Sequence, residues 1–112
     1  MCMYDTKPPF RELIKDLLLM SLSAGDLSRA LDAVSESVTT FYPDVKIWFA
    51  ETLGRRQSFL SGAGKESFLP PERTQLSDRY AVFMQNAQNI PPEEKEILLS
   101  IFKIITVIYE DG

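Results

Sequence analysis

Gly62-Ala63-Gly64-Lys65-Glu66-Ser67 is the stretch of this sequence whose residue types come nearest to a chemical motif. Backbone amides of a glycine loop ahead of a helix can cradle a phosphate, with a lysine and a hydroxyl to hold its charge. The spacing does not fit. A phosphate loop needs an earlier glycine at the place held by Phe59 and a Ser or Thr at the place held by Glu66. The dinucleotide pattern fails at its third glycine, where Ser67 stands, and the Glu66 carboxylate repels an anion.

Nucleophilic and acid–base chemistry find equally little. The sequence has no histidine and a single cysteine, which removes the commonest general base, the Ser-His-Asp and Cys-His arrangements, and the usual His/Cys zinc sites. Cys2 lies beside the terminus, where a thiol is more often inert or oxidisable than nucleophilic. Glu66, Glu72 and Asp78 fall in loops or turns. Acid–base work would need them converged with one desolvated, and a solvated surface is the expectation. The residues thus predict no catalytic group, no metal and no cofactor. Trp48, Phe59, Phe68 and Phe83 could line a residual groove, although aromatic residues in strands are more often core.

Charge narrows the partners. A net charge of −4 and a pI near 4.8 disfavour a phosphate backbone, since counterion release needs clustered Lys and Arg. Arg55-Arg56 follows Gly54 at a turn and reads as solvated charge. No secretory leader opens the chain and no apolar run is long enough for a membrane span. One cysteine near the terminus favours a reducing compartment. The expectation is a cytoplasmic chain with no direct nucleic acid and no membrane partner.

The elements that would position these residues follow from periodicity. Residues 1–7 have no period and are expected to be disordered, after which Pro8-Pro9 opens a helix to about Ser23. Asp26 is placed to cap a second helix over about Leu27 to Phe41, where Leu27, Leu31, Val34, Val38 and Phe41 recur at helical spacing. Past Pro43 the period becomes two: Val45, Ile47 and Phe49 alternate with Lys46, Trp48 and Ala50. Both faces carry large apolar groups, which suggests a central strand covered on both sides. A turn at Leu53-Gly54-Arg55 leads to a strand over about Gln57 to Ala63.

A loop over Gly62 to Pro71, with Phe68-Leu69 tucked against the core, precedes a second hairpin of Thr74–Leu76 and Arg79–Gln85 about Ser77-Asp78. Pro91-Pro92-Glu93-Glu94 then starts a last helix to about Glu110. The fold class is α+β in one domain, residues 1–112: an antiparallel sheet of four to five strands with two N-terminal helices and one C-terminal helix packed mainly on one face.

Two helices have more apolar surface than a sheet can cover. Ile97, Ile101, Ile104 and Ile108 form one stripe of the last helix, with Leu98, Phe102, Ile105 and Tyr109 beside it. In the first helix Phe10, Leu13, Leu17 and Met20 form a stripe, with Ile14, Leu18 and Leu22 alongside and Leu19 in addition. One stripe of about 100° is enough to bury a helix. The surplus either packs helix on helix within the chain or forms a homodimer, and the homodimer expectation places Phe10, Leu13, Leu17, Met20, Ile97, Ile101, Ile104 and Ile108 at the interface.

In this order the chain resembles a small GAF domain. The resembling residues are Asp26-Leu27 through Leu31 and Val34, Asp44-Val45-Lys46-Ile47-Trp48-Phe49, and Phe59-Leu60-Ser61-Gly62-Ala63-Gly64. Tyr80-Ala81-Val82-Phe83 and Ile90-Pro91-Pro92-Glu93-Glu94 with the final helix complete the likeness. The resemblance implies a PAS-like form, pairing through terminal helices, and relay to a downstream effector domain or protein. It also implies a ligand pocket, which this chain shortens, since only residues 65–73 separate Gly64 from Thr74. The functional expectation is a non-catalytic regulatory or sensory module for dimerisation and signal relay in a bacterial signalling or transcription-control protein. A roadblock- or profilin-like interaction module and a small-molecule sensor with a reduced pocket are the alternatives. A chain that stops at Gly112 straight after a helix is what a segment of a longer protein would show.

Overall fold

Helix α1 (Pro8–Ser23) starts on its proline pair, and α2 (Leu27–Phe41) starts on Asp26, whose side chain accepts from the Arg29 amide at 2.9 Å. That bond satisfies one of the amide donors a helix start leaves unpaired. The chain then enters β1 (Lys46–Leu53), β2 (Arg56–Ala63), β3 (Glu72–Gln75) and β4 (Tyr80–Gln85). A 3₁₀ turn at Ala87–Asn89 leads to α3 (Pro92–Glu110), which carries Glu93 and Glu94 in its first turn. The computed structural model describes residues 8–64 and 70–110. The expectations on residues 1–7, on Cys2 and on Lys65 to Leu69 lie outside the described residues.

The four strands form one antiparallel sheet in the order β2-β1-β4-β3. The α+β class, both hairpins and the three helices therefore stand as expected, with four strands. Pairing of Ile47 with Ala63 and of Phe49 with Ser61 on one side, and of Ile47 with Met84 and Phe49 with Val82 on the other, sets one face of β1. On that face Val45, Ile47, Phe49 and Val82 are fully buried. They join one core with Leu17 of α1, Leu31, Val34 and Val38 of α2, and Leu98, Phe102 and Ile105 of α3.

Helix α2 lies against β1 and β2, while α1 and α3 pack on α2 and on each other. The Phe102 ring meets Phe49 edge-on at 5.2 Å, carrying α3 down to the sheet. The Tyr109 hydroxyl donates to the Ser21 carbonyl, and Ile97 lies with Phe10 and Arg11 at the other end, so α1 and α3 run side by side. Burial of this one apolar face drives the assembly, at roughly 25 cal/mol per Å² of apolar surface removed from water.

The second face of β1 departs from the reading of a strand covered by elements on both sides. Among the described residues all three helices contribute to the core on the Phe49 face. Trp48 on the other face is half-buried, and its cover is a cross-strand neighbour: its indole stacks on the paired Phe83 ring at 5.2 Å and 4°. Period-two alternation reports a strand in a sheet, and the aromatic pair supplies the apolar surroundings that a second layer would otherwise give.

Candidate functional site

The face of the sheet opposite the helices carries Lys46 and Trp48 of β1, Phe83 of β4 and Phe59 and Gly62 of β2, as the pairings Trp48–Gly62, Trp48–Phe83 and Ala50–Phe59 require. A bulge at Phe49/Ala50 shifts the β1–β2 register. It lets Leu60 pack toward the core while Phe59 stands on the open face, 66% exposed. Lys46, Trp48, Phe59, Gly62, Ala63 and Gly64 enclose a groove of about 360 Å³. The Lys46 ammonium lies over the Trp48 ring at 5.5 Å, a cation–π contact that places one positive charge at an aromatic wall.

Three of the four aromatic residues expected at a groove thus meet on one face: Trp48 and Phe59 line it and Phe83 backs Trp48. Phe68 lies outside the described residues. Lys46, Gly62 and Gly64 were missed as groove residues, though strand parity places Lys46 beside Trp48. The glycines have a strand role in place of the refused phosphate chemistry. A Cβ on Gly62 would meet Trp48 Cβ at 2.6 Å and the Ile47 carbonyl at 2.8 Å. Gly64, at φ +112°, would bring a Cβ to 2.6 Å from the Val45 carbonyl.

Two hydroxyl–carboxylate pairs join the helices to their surroundings. Ser61 on β2, buried on the helix face, donates to Asp32 of α2. Tyr42, just after α2, donates to Glu94 Oε1 of α3 at 2.5 Å, and Glu94 is buried. Both pairs sit away from the aromatic groove. Burial first, and then the hydrogen bond and negative charge of Glu94, push the Tyr42 phenol well above its ordinary range.

The unfolded phenol releases its proton at about pH 10 while the folded one keeps it. Stability from this pair is therefore present below that pH and falls as pH rises through the alkaline range. In urea denaturation between about pH 9 and 11, the wild-type midpoint should fall more steeply than that of Tyr42→Phe. Parallel slopes in the two proteins would remove the pair from the alkaline response.

A broader hollow of about 570 Å³ lies between α1 and α2, with Glu12, Asp16 and Glu36 among its walls. It is larger than the aromatic groove, but its lining is carboxylate and hydroxyl around Leu13 and Phe41. Among the described residues no three His, Cys, Asp or Glu side chains are grouped so that they could hold a metal ion. Glu72 and Asp78 are exposed, and Glu72 pairs with Lys95 of α3. Glu66 lies outside the described residues.

The expected dimer seam divides. Phe10, Leu13, Leu17 and Ile101 are buried within the chain, because α1 and α3 turn those residues into the shared core. They are corrected from interface to core. Met20 is half-buried and meets the Ser37 hydroxyl through its sulfur at 3.8 Å. Ile97, Ile104 and Ile108 are 44%, 50% and 44% exposed, joined by Val107 on α3 and by Leu18, Leu19 and Leu22 on α1. Among the described residues no helix is long and apolar enough to cross a membrane.

No protein-family model matches the chain, and no solved structure matches it, so the likeness to GAF domains rests on the residue pattern alone. Among curated proteins the chain is similar to the peptide deformylase of Wolbachia sp. subsp. Drosophila simulans (strain wRi), at 28% identity over 107 residues. It is also similar to that of Wolbachia pipientis wMel, at 27% over 107 residues. Each alignment covers 96% of this chain and 57% of the relative, so the chain spans little more than half the length of the curated relatives it matches. These relatives are named for an enzymatic activity. That finding overturns the expectation of a non-catalytic regulatory or sensory module, and with it the reading of signalling or transcription control. Absence of the familiar catalytic residue patterns does not by itself exclude similarity to an enzyme.

Proposed function

We propose that this chain is a peptide-processing protein related to the deformylases, and that the groove between Trp48 and Phe59 holds the peptide. The observation that carries the reading is the groove itself, with its aromatic walls, the Lys46 ammonium and the glycines Gly62 and Gly64, on the face of the sheet opposite the helices. The relatives' name supplies the ligand class: a peptide carrying a formyl group. A formyl cap replaces the positive amine of a peptide by a neutral amide with a carbonyl acceptor. Lys46 can donate to that carbonyl, whereas it repels a free ammonium. An apolar first side chain would lie against Trp48 and Phe59, where removing aromatic and apolar surface from water supplies the affinity. Exposed glycine backbone at Gly62 and Gly64 leaves room for the peptide to approach the strand end.

Trp48 is the one tryptophan of the chain, so its fluorescence reports the site directly. Titration with an N-formylated tripeptide of apolar first residue should give a saturable emission change. The free-amine tripeptide should bind about ten-fold more weakly, a difference of about 1.4 kcal/mol, and Phe59→Ala should weaken the formylated ligand by a similar factor. Formate release measured on the same samples tests the processing step separately. An unchanged Trp48 emission with both tripeptides would sink the groove assignment, and release of formate that Phe59→Ala leaves untouched would move the processing elsewhere in the chain.

A further inference from the structure

The exposed side of α3 has a symmetry of its own. Ser100 is a small, exposed residue at its middle. Ile97 lies three residues before it and Ile104 four after, exposed by 44% and 50%. Glu96 lies four before and Lys103 three after, both exposed. At 3.6 residues per turn these five share one side of the helix, with the apolar pair and the opposite charges disposed about the serine in reverse order.

We infer that this side of α3 is a self-recognition surface, and that its occupant is α3 of a second copy of the chain, crossing antiparallel about a two-fold axis near Ser100. An isologous contact brings each residue ahead of the axis against one behind it. Ile97 then packs over Ser100 and toward Ile104 of the second copy, the small serine letting the two helices approach. Glu96 faces Lys103 of the second copy, and the axis makes that pair twice.

Charge selects this register. Moving the axis toward Lys103 would set the two Lys103 ammoniums against each other, with no carboxylate at the crossing, whereas an axis near Ser100 pairs opposite charges on both flanks. The surface differs from the expected seam, since Ile101 is turned into the core. It is also separate from the peptide groove, which lies on the far side of the sheet from the helices.

Sedimentation equilibrium of the wild-type chain should give the two-copy mass in the micromolar range. Lys103→Glu replaces both attractions by repulsions and should raise the dissociation constant by at least about ten-fold. The double variant Glu96→Lys with Lys103→Glu reverses both signs and should restore the wild-type constant. Rescue is a readout that a merely destabilised helix cannot produce. A monomeric wild type overturns the inference, as does a double variant as dissociated as the single one. Dissociation by Leu19→Lys with Lys103→Glu unaffected also overturns it, by placing the contact on α1.

Discussion

Phe102→Ala is expected to lower the unfolding free energy by about 3–5 kcal/mol, while Ile104→Ala, two positions along the same helix, should cost under about 1 kcal/mol. Phe102 is fully buried and edge-on to Phe49, joining α3 to the central strand. Truncation removes the aromatic contact and leaves a void in the close-packed core shared by the helices and the sheet, where relaxation is limited. Ile104 is half in water already and loses little transfer free energy. Chemical denaturation at a concentration where the chain is monomeric checks both. A total stability of about 5–15 kcal/mol is usual for a domain of this kind, so Phe102→Ala can leave too little folded protein to measure. Phe102→Leu, expected to cost about 1–2 kcal/mol, then keeps the comparison measurable. Equal losses at the two positions would mean that α3 presents a different stripe to the core.

That contrast is also where legibility in the sequence ended. Both apolar stripes of α3 are visible from spacing alone, as are the start at Pro92 and the acidic first turn. Which stripe turns inward is decided by a 100° rotation about the helix axis, set by Phe49 and by α1 rather than by α3 itself. The same rotation puts Leu17 in the core and the adjacent Leu18 at the surface. Hydrophobic pattern measures how much surface a helix wants to bury. It does not say against what.

The strands were legible for a different reason. Alternation along Lys46 to Ala50 assigns Lys46 and Trp48 to one face before any partner is known, and both end in the groove. Phe59 depended on a bulge, since the extra residue in β2 decides whether Phe59 or Leu60 reaches the open face. The similarity to the deformylases was not legible, because the residues that carry the GAF likeness are apolar positions that many α+β domains share.

Gly62 shows most sharply what a single sequence conceals, and it carries the second large effect. Gly62→Ala is expected to lower stability by about 1–3 kcal/mol and to weaken the formylated tripeptide by at least about ten-fold, about 1.4 kcal/mol. In the pairing of Trp48 with Gly62 the strands approach so closely that an added methyl would stand 2.6 Å from Trp48 Cβ and 2.8 Å from the Ile47 carbonyl. The obstacle is strand backbone and a Cβ, not the end of a flexible side chain, so β2 must move away from β1 or Trp48 must leave its stack on Phe83. Either movement opens the groove wall. Thermal melting and Trp48 emission read the two consequences separately: a shifted emission maximum in the free protein marks the displaced indole, and the tripeptide titration marks the lost site. If Gly62→Ala melts with the wild type and keeps its emission, the close approach of the strands is wrong. If it melts early yet binds the tripeptide unchanged, Gly62 serves the sheet and the peptide lies elsewhere.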